Sequence, residues 1–133
     1  MDHITVITPP DALYNRSKSI LVISPNQSLK QQLQSFLISY PDPLNLYLYE
    51  PQIIGDNMEW AIKISKIADC VILDLDNTTE MIRAFSSYLI SFSNVFYLTN
   101  DNFTPYNIIS ANRIYDLSWL PNFFKHEDKN EQS

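Results

Sequence analysis

Glycine is almost missing from this chain: Gly55 is the only one in 133 residues. Phosphate-cradling loops of the GxGxxG and GxxxxGK[ST] kinds need backbone that approaches phosphate without a Cβ, so both kinds are excluded. Cysteine is as scarce. A single residue, Cys70, rules out an internal disulfide framework and a cysteine-based zinc site. It lies in an apolar run beside Asp69 and Val71, and is expected to be a small buried hydrophobe rather than a reactive thiol. The two histidines, His3 and His126, stand at opposite ends with no ligand spacing around them. Without a glycine elbow, neither has the setting of a Ser-His-Asp site.

Basic residues are also few. Nine Lys and Arg against fifteen Asp and Glu leave a net charge of −6, with the cations scattered. A surface for nucleic acid needs them clustered, so none is expected. An acidic body can instead imitate DNA towards a basic partner. No apolar run reaches the roughly 18 residues of a membrane span. The N-terminus lacks a basic stretch followed by an apolar one, so the chain is expected to be cytoplasmic.

What is present is a regular alternation. Residues 3–8, 19–24, 44–49, 70–75 and 95–99 read as strands, with 113–117 as a short sixth. Between them lie helical stripes: Leu29, Leu33, Phe36, Leu37 and Tyr40; Trp60, Ala61, Ile64, Ile67 and Ala68; Ile82, Phe85, Leu89 and Phe92. Pro9 and Pro10 end the first strand, and Pro41 and Pro43 stop the first helix. A capping residue near Asn26 starts that helix, Asp56 followed by Glu59 resembles a second helix start, and Thr78 or Thr79 caps the third. Strands alternating with helices predict a single α/β domain over residues 1–125. It has three layers: five to six mostly parallel strands with helices on both faces, flavodoxin- or Rossmann-like. Residues 126–133 are expected to be a disordered polar tail.

In such sheets ligands bind just past the carboxyl ends of the strands. The run Cys70-Val71-Ile72-Leu73-Asp74-Leu75-Asp76-Asn77-Thr78-Thr79-Glu80 puts a buried strand and then a cluster of acids and hydroxyls at that rim. Asp74, Asp76 and Glu80 are the candidate catalytic residues. Asn77, Thr78 and Thr79, with Ser24 and Asn26 after the second strand, are the candidate ligand-binding ones. No resident metal or cofactor is expected. Carboxylates grouped this way can hold a metal, bind sugar hydroxyls, or supply a nucleophile with its partner acid; the same residues also serve to cap the next helix. The aromatic cluster of Trp119, Phe123 and Phe124 is a candidate contact for a homo-oligomer.

Residues 71–78 resemble the first motif of haloacid-dehalogenase-like phosphatases, an apolar strand followed by Asp-x-Asp-x-Thr, and residues 95–100 resemble the second. That likeness implies Asp74 as nucleophile, Asp76 as acid/base and a requirement for magnesium. The family's late Lys and acidic pair have no counterpart on a further strand. A receiver-like signalling domain with Asp74 as phosphoacceptor is a third reading, without the acid pair that it needs after an early strand.

A longer likeness runs along most of the chain. It comprises an opening strand and proline turn, the strand 19–24, the segment Asp56-Asn57-Met58-Glu59-Trp60, and Ala68-Asp69 leading into the strand 70–75. It closes with Arg113-Ile114-Tyr115-Asp116-Leu117 before Trp119 and Phe123. In this order the pieces resemble nucleoside 2-deoxyribosyltransferases. The resemblance implies attack of a Glu on the sugar C1′, with release of the base. The family carries that Glu in Thr-x-x-Glu-x-Gly. Here Thr79-Glu80-Met81-Ile82-Arg83-Ala84 puts Ile82 at the position, and Val22-Ile23-Ser24-Pro25 lacks the family's glycine. The expectation is therefore a non-catalytic or vestigial member that binds a nucleoside or nucleotide, or a protein partner. The alternatives are an active N-glycosidase or transferase using Glu80, or the phosphatase using Asp74.

Overall fold

A computed structural model describes residues 4–12, 17–24, 27–38, 40, 42–50, 57–74, 94–98 and 113–114. Six strands and two helices fall among them: β1 (Ile4–Ile7), β2 (Lys18–Ile23), α1 (Gln27–Leu37), β3 (Leu44–Tyr49), α2 (Met58–Ile67), β4 (Cys70–Asp74), β5 (Val95–Leu98) and β6 (Arg113–Ile114). The six strands form one sheet in the order β1-β3-β2-β4-β5-β6, and every neighbouring pair is parallel. This is the α/β architecture that the alternation predicts. Without β1, the order from β3 to β6 is the flavodoxin-like one, with β1 added outside β3.

Parallel strands with both faces covered read as unbroken apolar runs rather than alternating ones. In β2, Ser19 to Ile23 are all buried, as are all five residues of β4. Side-chain alternation sorts them onto two faces. Ile20, Val22, Leu44, Leu46, Cys70 and Ile72 pack with Leu29, Leu33 and Leu37 of α1. Leu21, Ile23, Tyr47, Tyr49, Val71 and Leu73 pack with Ala61 and Ile64 of α2. The helices thus cover opposite faces, and Cys70 is the buried hydrophobe expected of it. Each fully buried Leu or Ile contributes about 1.5–3 kcal/mol over its exposed state.

Three local expectations are corrected. The α2 stripe does not include Ile67, which is 44 % exposed, whereas Ser65 is fully buried. Ile67 is the helix's last residue, and Ala68 already has extended backbone leading into β4. Ser65 is accommodated because its hydroxyl donates to the Ala61 carbonyl at 2.7 Å, one turn earlier. The N-cap of α2 is Asn57, with no side-chain capping bond, rather than a box begun at Asp56, which lies outside the described residues. The polar loop after β1 gives way to strand at Lys18, one residue before the predicted start at Ser19.

The β1–β2 connection must pass over β3, and parallel crossovers usually need a helix to do so. Its described residues, 8–12 and 17, contain none. Asp11 and Ala12 lie on the α2 side: the Trp60 indole N–H donates to the Asp11 carbonyl at 2.8 Å, and Ala12 packs against the α2-face core.

Candidate functional site

From β2 the chain crosses through α1 to β3 on one side, then returns through α2 to β4 on the other. The direction of winding reverses between β2 and β4. In open α/β sheets the crevice at that reversal, past the carboxyl ends of the two strands, is where ligands bind.

Two predicted site residues meet there. Ile23 pairs with Leu73, so the next residues, Ser24 and Asp74, stand opposite each other at the strand ends. The Ser24 hydroxyl donates to Asp74 Oδ2 at 2.7 Å. Ser24 is 0 % exposed and Asp74 1 %. Alternation from Val22 and Ile72 carries both side chains to the α1 face. The length is that of a well-formed O–H···O bond, and its burial keeps water from competing. The Ser24 backbone N–H donates to the Tyr49 carbonyl at 3.1 Å, tying the same corner to the end of β3.

Glu50 follows directly on β3 and extends this rim. Lys30 Nζ, from the early part of α1, lies 3.5 Å from Glu50 Oε2; the two side chains are 14 % and 43 % exposed. Sequence reasoning passed over this pair. The signal was present in Glu50 itself, an acid ending a strand as Asp74 does. The described rim therefore carries a hydroxyl, two carboxylates and one ammonium, the last paired with Glu50.

Asn26, Asp76, Asn77, Thr78, Thr79 and Glu80 lie outside the described residues, as do Ile82, Trp119, Phe123 and Phe124. Among the described residues, no group of three or more His, Cys, Asp or Glu is placed to hold a metal ion, and no helix is long and apolar enough to cross a membrane.

Away from this rim, Tyr97 of β5 is 2 % exposed, and its hydroxyl has no hydrogen-bond partner among the described residues. Burial raises its pKa above the usual tyrosine value. It alternates onto the α2 face with Leu73 and Val95, the opposite side from Ser24 and Asp74.

No family model, no curated protein and no solved structure matches this chain.

Proposed function

We propose that this chain is a non-catalytic nucleoside 2-deoxyribosyltransferase-like domain of the cytoplasm, binding a nucleoside or nucleotide in the crevice between the ends of β2 and β4. One observation carries the reading: the Asp74 carboxylate is 1 % exposed and engaged by the Ser24 hydroxyl at the switch point. A carboxylate held this way suits the firm floor of a binding crevice. A phosphatase nucleophile needs an oxygen open to in-line approach at phosphorus, and burial of Asp74 weighs against that role. The missing attacking Glu at Ile82 weighs the same way for glycosyl transfer. Self-association through Trp119, Phe123 and Phe124 belongs to the same proposal, and sedimentation of the chain over a range of concentrations tests it.

The test of ligand binding combines two measurements on the full chain. Deoxynucleosides and their monophosphates are titrated while backbone amide shifts are followed, and the same mixtures are assayed for free base. The expected result is saturable shifts at Ser24 and Asp74 with no base released. Absence of any shift at millimolar ligand ends the binding reading. Base release that disappears in Glu80→Gln replaces it with the active glycosidase or transferase. Aryl phosphate hydrolysis that disappears in Asp74→Asn replaces it with the phosphatase.

A further inference from the structure

We propose that the outer edge of β1 is a docking site for an extended, lysine- or arginine-bearing peptide segment, which adds to the sheet as a further strand. β1 ends the strand order, so among the described residues one side of its backbone faces no other strand. Natural edges are usually blunted by a charge, a proline or a bulge. The strand Ile-Thr-Val-Ile contains neither a charge nor a proline, and is β-branched throughout. Its pairing with β3 runs without interruption from Ile4↔Leu44 to Ile7↔Tyr47, so no bulge bends it away.

The edge also has shape. A groove of about 410 Å³ is lined by Thr5, Val6, Ile7, Thr8, Asp11 and Ala12. Thr5, Val6 and Ile7 of β1 point alternately to both faces, and Thr8 follows them, so the groove that they share runs along this strand. Thr5 and Thr8 are exposed, and Val6 is 45 % exposed. An added strand takes its affinity from main-chain hydrogen bonds and its selectivity from pockets for alternate side chains.

Charge identifies the occupant. Asp11 is exposed in the lining of the groove, no basic residue lines it among the described residues, and the whole chain carries −6. A segment with a cation beside its strand-forming residues meets that carboxylate. A second copy of this chain brings the same net charge and the same Asp11, so like meets like.

The probe is a fluorescein-labelled peptide alternating valine and threonine between terminal lysines, titrated with the full chain and followed by anisotropy. Saturable binding is expected, with about a tenfold loss when glutamates replace the lysines or a proline interrupts the middle. Val6→Lys and, separately, Thr5→Lys blunt the edge at exposed positions; each should lose binding by about tenfold with the melting temperature unchanged. Asp11→Asn should narrow the preference for lysine over glutamate. The proposal is overturned if the lysine peptide does not saturate at millimolar chain, or if both edge variants bind it as the parent does. It is equally overturned if the edge variants abolish a concentration-dependent dimer, since a second copy is then the occupant.

Discussion

Asp69 and Ser19 bind each other in both directions at the amino-terminal rim of the β2–β4 pair. The Asp69 carboxylate accepts the Ser19 N–H at 2.9 Å, and the Asp69 N–H donates to the Ser19 carbonyl at 3.0 Å. Ser24 and Asp74 repeat the same residue types, the same way round, five positions further along both strands. The central pair is therefore fastened at each end by a serine in or next to β2 and an aspartate in or next to β4. Slipping β4 by one residue would break both fastenings and turn its side chains to the wrong faces.

The upper fastening should be measurable as a coupling. Ser24→Ala removes the donor from a buried carboxylate and should cost about 1–3 kcal/mol in urea unfolding at neutral pH. Combined with Asp74→Asn, the double mutant should depart from additivity by at least about 0.5 kcal/mol. Strict additivity would mean that the 2.7 Å contact contributes nothing.

The lower fastening predicts a loss of register rather than of packing. Asp69 is only part-buried, so Asp69→Ala removes few apolar contacts. It should still destabilise by about 1–2 kcal/mol, because the Ser19 N–H loses its acceptor. Hydrogen exchange at Ser19 should speed up before exchange at Val22 does; uniform acceleration across β2 would contradict this.

Asn94 acts on α2 from a distance. Its side-chain amide donates to the Ser65 carbonyl at 3.1 Å and to the Ala68 carbonyl at 2.8 Å, and its own carbonyl accepts the Val71 N–H at 2.9 Å. It thereby satisfies acceptors at a helix end that otherwise have no intrahelical partner. Asn94→Ala should cost about 1–3 kcal/mol by thermal or urea unfolding. Asn94→Asp should cost no less, since a carboxylate cannot donate to those carbonyls.

Tyr97 supplies a prediction of opposite sign. Its hydroxyl is buried without a partner among the described residues, so Tyr97→Phe should stabilise the fold by up to about 1 kcal/mol. Its pKa is raised in the folded state, so the folded chain holds this proton after the unfolded chain has released it. Stability therefore falls as pH climbs past the ordinary tyrosine value of about 10. Part of that alkaline loss should vanish in Tyr97→Phe; unfolding curves between neutral and strongly alkaline pH would reveal it.

The strands were legible because burial on both faces writes itself as an apolar run, as in Cys70-Val71-Ile72-Leu73 and in Ile20-Leu21-Val22-Ile23. The α1 stripe was legible through Leu29, Leu33 and Leu37, whose spacing is the helix's own. Ile67 misled because periodicity does not say where a helix stops. Ser65 was missed because its burial depends on a bond to the Ala61 carbonyl one turn earlier in the same helix. Ser24 and Asp74 could each be named as strand-end residues, yet their contact depends on β2 and β4 being neighbours. Strand order is not written locally: nothing in Ile-Thr-Val-Ile says that it lies outside β3 rather than beside β2.

The route taken by residues 8–12 also matters for anyone modifying this molecule. The loop roofs the α2 side, and the Trp60 indole pins it there at Asp11. Ile4 and Val6 turn the other way, where no helix was needed to carry the chain across. A dye coupled within that loop would sit beside Thr8, Asp11 and Ala12, which line the groove along β1, so its emission would report what enters there. The Ser24 corner lies two strands inboard.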